Sequence, residues 1–114
     1  MRDDRLYVVH VIECIARIEN YLSGGRAAFM DSTLIQDAVI RNVQVLAEST
    51  QRLSDRLKDT HAEVDWRGLV ALRNVLVHDY LGVNMALAWE LVEQELPNLK
   101  VQMEGILEEL GSAQ

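Results

Sequence analysis

The chain has 114 residues, 49% of them apolar, and a net charge of −7. That length suits one domain with a real core, and the composition excludes a disordered or collagen-like chain. The charge excludes a surface broadly coated for nucleic acid, although a local basic cleft stays open, and most of the 11 basic residues are Arg, the better fork for phosphate.

A single proline and six glycines favour long regular elements, and the abundance of Leu, Val, Ala, Glu and Arg favours helix. One cysteine, Cys14, cannot form an internal disulfide, which points to a reducing, cytoplasmic setting. The opening MRDDRLYVVHVIECIARI is interrupted by His10, Glu13 and Arg17, so it does not read as a signal peptide. No stretch approaches the ~20 apolar residues of a membrane span. A single domain over 1–114, with no membrane partner, is expected.

A first helix is predicted over 4–22, where Val8, Val11, Ile15, Ile18 and Leu22 step by three and four. Ser23-Gly24-Gly25 should end it, with 23–30 as a loop. A second helix is predicted from Thr33, where Thr33-Leu-Ile-Gln36 fits a capping box, to about Lys58. Its stripe is Ile35, Val39, Asn42, Leu46, Ser49, Leu53 and Leu57. Asn42 and Ser49 are polar intruders there, readable either as internal hydrogen-bonding groups or as part of a site that Arg41 could flank. The connection 59–65 alternates His61, Glu63 and Asp65, but this spacing matches no standard ligand set, so no metal is expected. Asp65 reads instead as the cap of a third helix that starts at Trp66 and stops around 80–82.

Asn84 should cap a fourth helix, with Val92, Leu96, Leu99, Met103, Ile106 and Leu110 as its stripe. Pro97 falls within that stripe without shifting its phase, which predicts one kinked helix rather than two. No strand alternation or repeat is visible. The fold class is therefore all-α, an antiparallel four-helix bundle.

The third helix carries RNVLVHDY, residues 73–80. At about 100° per residue, Arg73 and His78 diverge by about 140°, so the helix must end or bend before His78, or a second copy must complete any shared site. Arg73 and Tyr80 differ by only about 20°, and Asn74 and His78 share another face. The bland readings are a hydrogen-bonded surface histidine and an arginine paired with a carboxylate across the bundle. As a site, the chemistry is narrow. Arg offers a fixed fork for phosphate, and His titrates near neutrality. No nucleophilic elbow, glycine-rich phosphate loop or metal cluster accompanies them. Arg plus His without metal suits RNA cleavage by the substrate's own 2′-hydroxyl, with His moving protons and Arg stabilising the charged transition state.

The segments DAVIRNVQVLAE (37–48), DWRGLVALRNVLVHDYLGVN (65–84) and LVEQELPNLK (91–100) closely resemble HepT-like toxins, within the HEPN class of small helical ribonucleases. Arg73-x4-His78-x-Tyr80 matches their R-x4-H-x-Y motif. The resemblance covers roughly 4–110. It implies a HEPN-like bundle, a homodimer whose R-x4-H residues line a cleft, and a metal-independent endoribonuclease that arrests growth. It implies Arg73 and His78 as the catalytic pair, with no cofactor for cleavage. It also implies a partner, an MntA-like nucleotidyltransferase antitoxin that uses ATP and magnesium to attach AMP to the motif tyrosine, here Tyr80. Asn74, Asn42, Arg41 and Arg67 are candidates for lining the cleft. The 23–30 segment is less acidic than in the family, and Asn84 stands where Asp is usual; neither departure touches the motif. Two other readings stand beside this one: a non-catalytic helical subunit that binds nucleotide or partner in a nucleotidyltransferase complex, and a plain dimerisation module.

Overall fold

The computed structural model describes residues 3–78 and 84–112. Its helices are α1 (Asp4–Tyr21), α2 (Gly25–Asp31), α3 (Thr33–Gln51), α4 (Asp55–Thr60), α5 (Trp66–His78) and α6 (Met85–Ser112). No strand occurs among the described residues. The four long helices are those the sequence patterning predicts, and the described residues span 45 × 25 × 23 Å. None of the described helices is long and apolar enough to cross a membrane.

The apolar stripes become the core. Val8, Val11, Ile15 and Ile18 of α1 are buried against α3 and α6. Val39, Val43 and Leu46 of α3 face them, and Leu69, Leu72 and Leu76 bring α5 onto α3. From α6, Val92, Leu96, Leu99, Met103 and Ile106 close the bundle. The helix α6 runs unbroken through Pro97. Pro97 lies on the exposed side, where water can satisfy the carbonyl that loses its helical partner.

Three expectations need correction. Residues 25–31 are a helix rather than a loop. Gly25 takes φ 90°, a left-handed turn that suits glycine and separates α1 from α2. Phe29, 1% exposed, then pins α2 into the core with its ring 5.6 Å from that of Trp89. The cap of α3 is Ser32, one residue earlier than predicted, its hydroxyl accepting from the Ile35 N–H at 3.1 Å. Gln36 does not reach back to that cap; its amide donates to the Phe29 and Met30 carbonyls, closing the end of α2.

Third, the predicted helix from Thr33 to Lys58 is two helices. Ser54 caps a new one by accepting from the Leu57 N–H at 3.2 Å. The Asp4 carboxylate at the start of α1 fixes this break by accepting from both the N–H and the hydroxyl of Ser54, at 2.9 and 2.6 Å. Leu53 and Leu57 remain buried on either side, so the apolar phase survives the interruption.

Two predicted caps are present. The Asp65 carboxylate accepts from the Gly68 N–H at 2.9 Å and opens α5. Asn84 accepts from the Ala86 N–H at 2.9 Å and opens α6. The predicted stop of the third helix near 80–82 lies outside the described residues.

Candidate functional site

The helix α5 has two sides. Leu69, Leu72 and Leu76 are buried against α3, while Arg67 and Asn74 are exposed on the opposite side. On a 100° turn, the positions of Arg67, Asn74 and His78 fall within about 40° of one another. Arg73 is half-buried, on the flank between the two sides.

The chain is helical through His78, so the helix does not end before that residue. The 140° divergence from Arg73 is instead reduced by a side-chain contact. Nη1 of Arg73 donates to Oδ1 of Asn74 at 2.9 Å. The guanidinium is thereby drawn from the flank toward the side that carries the His78 position. The side chain of His78, and all of Tyr80, lie outside the described residues.

Arg73 makes no ion pair among the described residues. Its neighbour Asn74 is neutral, so the hydrogen bond holds the guanidinium without cancelling its charge. Among the described residues, no other group takes the remaining N–H donors of the fork, which could meet an anion. The cross-bundle carboxylate that the sequence left open is not found among the described residues.

The other candidates divide. Asn42 donates from Nδ2 to the Ala38 carbonyl at 2.9 Å, within its own helix, so its recorded bond is internal to the bundle. Arg41 beside it is exposed. A surface cavity of about 260 Å³ brings Thr50 and Gln51 of α3 against Trp66, Arg67 and Val70 of α5, so the end of α3 lies beside the start of α5. The two helices therefore run antiparallel, and at 1.5 Å per residue Arg41 and Asn42 sit roughly level with the last turn of α5. Arg67 lies at the other end of α5, about 9 Å along the axis from Arg73. Arg41, Asn42 and Arg73 thus share one end of the bundle, and Arg67 does not.

Sequence reasoning missed the cavity at Arg67. Its wall is Trp66, whose indole N–H donates to the Lys58 and His61 carbonyls at 3.3 and 3.1 Å. Lys58 and Arg67 line it from different helices, and no linear motif joins them.

The remaining chemistry-bearing groups are accounted for structurally. Cys14 is buried, and burial raises its thiol pKa, with Arg17 acting in the opposite sense. His61 lies between Glu63 and Glu109, at 3.3 and 3.8 Å. No group of three metal-ligating side chains converges among the described residues.

The described residues form an all-helical bundle in which Arg73, near the end of α5, is hydrogen-bonded to the neutral Asn74. The ribonuclease HepT-like family profile matches residues 11–106, which include α5 and the whole 73–80 stretch, and the chain belongs to that family. A protein of Caldanaerobacter subterraneus, provisionally named an RNase, is 28% identical over 95% of this chain and 97% of its own length. A protein of Thermococcus cleftensis named as a probable ribonuclease HepT is 29% identical over 90% of this chain and 94% of its own. A longer protein of Methanocaldococcus jannaschii, named a gamma-glutamylcyclotransferase and provisionally an RNase, is 32% identical over 96% of this chain, which spans half of that relative. No solved structure is significantly similar.

Proposed function

We propose that the protein is the toxin of a toxin–antitoxin pair, a metal-independent endoribonuclease that uses Arg73 and His78 at a homodimer cleft. The observation that carries this reading is the family match over 11–106, which contains Arg73, His78 and Tyr80 in their motif spacing. The guanidinium of Arg73, held by a neutral partner and without an ion pair among the described residues, supports it chemically.

In the reaction, a histidine takes the proton of a ribose 2′-hydroxyl. The oxygen so freed attacks the adjacent phosphorus, the bond from phosphorus to the 5′-oxygen breaks, and a protonated histidine returns a proton to that leaving oxygen. The products are a 2′,3′-cyclic phosphate and a 5′-hydroxyl, and no metal is needed to balance the step. Arg73 meets the negative charge that gathers on the phosphate oxygens in the transition state. A second copy supplies the second histidine, so acid and base are both present. Asn74 aims Arg73, and Arg41 extends the positive charge at the same end.

The off-state follows from Tyr80. AMP attached there by an MntA-like nucleotidyltransferase, with ATP and magnesium, adds negative charge and bulk seven positions from Arg73. The modification then occupies the phosphate position that RNA needs. The tests are direct. Expression should arrest growth, and Arg73→Ala or His78→Ala should abolish the arrest. Co-expression with the nucleotidyltransferase should add AMP to the intact mass, and Tyr80→Phe should remove that addition. Growth arrest by both alanine variants would overturn the catalytic assignment, and unmodified Tyr80 in a neutralised protein would overturn the switch.

A further inference from the structure

We propose that the cavity between α3, α4 and α5 is an RNA subsite that holds a phosphate and its nucleoside several nucleotides away from the cut. The inference rests on the ribonuclease reading and adds a second contact point to it.

The cavity has about 260 Å³ and is lined by Thr50, Gln51, Lys58, Trp66, Arg67 and Val70. Its charge is the first argument. The chain carries 18 acidic against 11 basic residues, yet Lys58 and Arg67 border the cavity and no carboxylate does; the lining itself is almost wholly apolar, so the stems of the two cations, rather than their charged ends, form its wall. Two acids adjoin lining residues in sequence, Asp59 beside Lys58 and Asp65 beside Trp66; neither lines the cavity, and Asp65 accepts from the Gly68 N–H at 2.9 Å in capping α5. Arg67 makes no ion pair among the described residues, and Lys58 reaches only the Gln51 carbonyl, at 3.4 Å. Among the described residues neither cation is paired with a carboxylate, which suits an anion.

The wall is the second argument. Trp66 and Val70 give an apolar surface beside the two cations. The Trp66 ring is oriented by its N–H, which donates to the carbonyls of Lys58 and His61. An oriented aromatic surface next to cations is what a nucleotide unit requires, with the base on the ring and the phosphate on the cations.

Position is the third argument. Arg67 lies on the same side of α5 as Asn74 and as the position of His78, about 16 Å along the axis from that residue. A single strand entering the cut at the end of α5 would follow this exposed side back to the cavity. Net charge then ceases to be an obstacle, because the RNA meets cations along one track.

The test compares binding of a 12-nucleotide and a 3-nucleotide single strand by fluorescence anisotropy. Both are 2′-O-methylated, so that the intact protein cannot cut them. The wild type should bind the longer strand more tightly. Lys58→Glu with Arg67→Glu should weaken that binding at least tenfold. Lys58→Gln with Arg67→Gln should flatten its salt dependence by about 1.4, the slope of two lost contacts to a single strand. Reversing two exposed arginines elsewhere, Arg5→Glu with Arg26→Glu, should cost much less. Equal losses from both reversals would overturn the proposal, as would 12-nucleotide binding within twofold of wild type in the cavity variants. Melting curves show that each variant is folded. Failure of the wild type to cut ordinary RNA would instead count against the ribonuclease reading and leave the binding result standing.

Discussion

Arg73 and Asn74 are neighbours in sequence, yet Nη1 of the first donates to Oδ1 of the second at 2.9 Å, so the guanidinium is held against the exposed side of α5. Adjacent residues on a helix ordinarily point about 100° apart, and only a side chain as long as arginine can bend back to close such a contact. Asn74→Ala should release the guanidinium and slow RNA cleavage by about 10- to 100-fold, the worth of one hydrogen bond to a charged group. Because Asn74 is exposed, the unfolding free energy should change by less than about 0.5 kcal/mol. Single-turnover rates beside melting curves check both halves. A variant that cuts at the wild-type rate would remove Asn74 from the site.

Gly68 meets a different constraint. A methyl group at this position would run into the Asp65 carboxylate, which is the cap of α5. Displacing that cap is a penalty of about 1 kcal/mol that offsets the roughly 1 kcal/mol alanine ordinarily gains in a helix, so Gly68→Ala should leave stability within about 1 kcal/mol of wild type. With Asp65→Ala already in place the penalty should shrink or reverse, and denaturant titrations of the two single variants and the double variant measure that coupling.

Asp4 joins the start of α1 to the break between α3 and α4. Removal by Asp4→Ala leaves the Ser54 N–H and hydroxyl without their acceptor in a half-buried place, at a cost of about 1–3 kcal/mol. Amide exchange across 52–60 should accelerate beyond that of the α1 and α3 core. Uniform acceleration would mean that the contact does not fix the break.

Cys14 should be slow to react. Burial raises its thiol pKa, so at pH 8 the folded protein holds little thiolate and alkylation should proceed only as fast as the chain opens. The sign for stability follows. The unfolded thiol ionises near its ordinary 9.0 while the folded one does not, so this group favours folding below that pH and loses its contribution as pH rises toward the raised folded value. Mass spectrometry after timed iodoacetamide exposure, with and without denaturant, measures the protection.

The core of this bundle is legible in the sequence because burial writes a period of three and four into α1, α3, α5 and α6. The break at Ser54 is not legible, since Leu53 and Leu57 stay in phase across it and the deciding group, Asp4, lies fifty residues away. The cap of α3 is ambiguous because Ser32 and Thr33 are both good caps, and Gln36 fits the second while serving α2. The short α2 is hidden by Gly24 and Gly25, which read as a stop; Phe29 is the overlooked sign that the chain dives back into the core. In the candidate site, the spacing of Arg73, Asn74 and His78 is readable, but the bend of one side chain onto its neighbour is not. The cavity is invisible in sequence because Lys58 and Arg67 meet only after α4 folds back.

The measurement that bears most directly on the central claim is cleavage of a single-stranded RNA by the purified protein in excess EDTA, with the new ends identified. Cutting that leaves 2′,3′-cyclic phosphate and 5′-hydroxyl ends, and that falls by 100-fold or more in both Arg73→Ala and His78→Ala, is the predicted result. Loss of cutting in EDTA, or cutting by both variants at the wild-type rate, would contradict it.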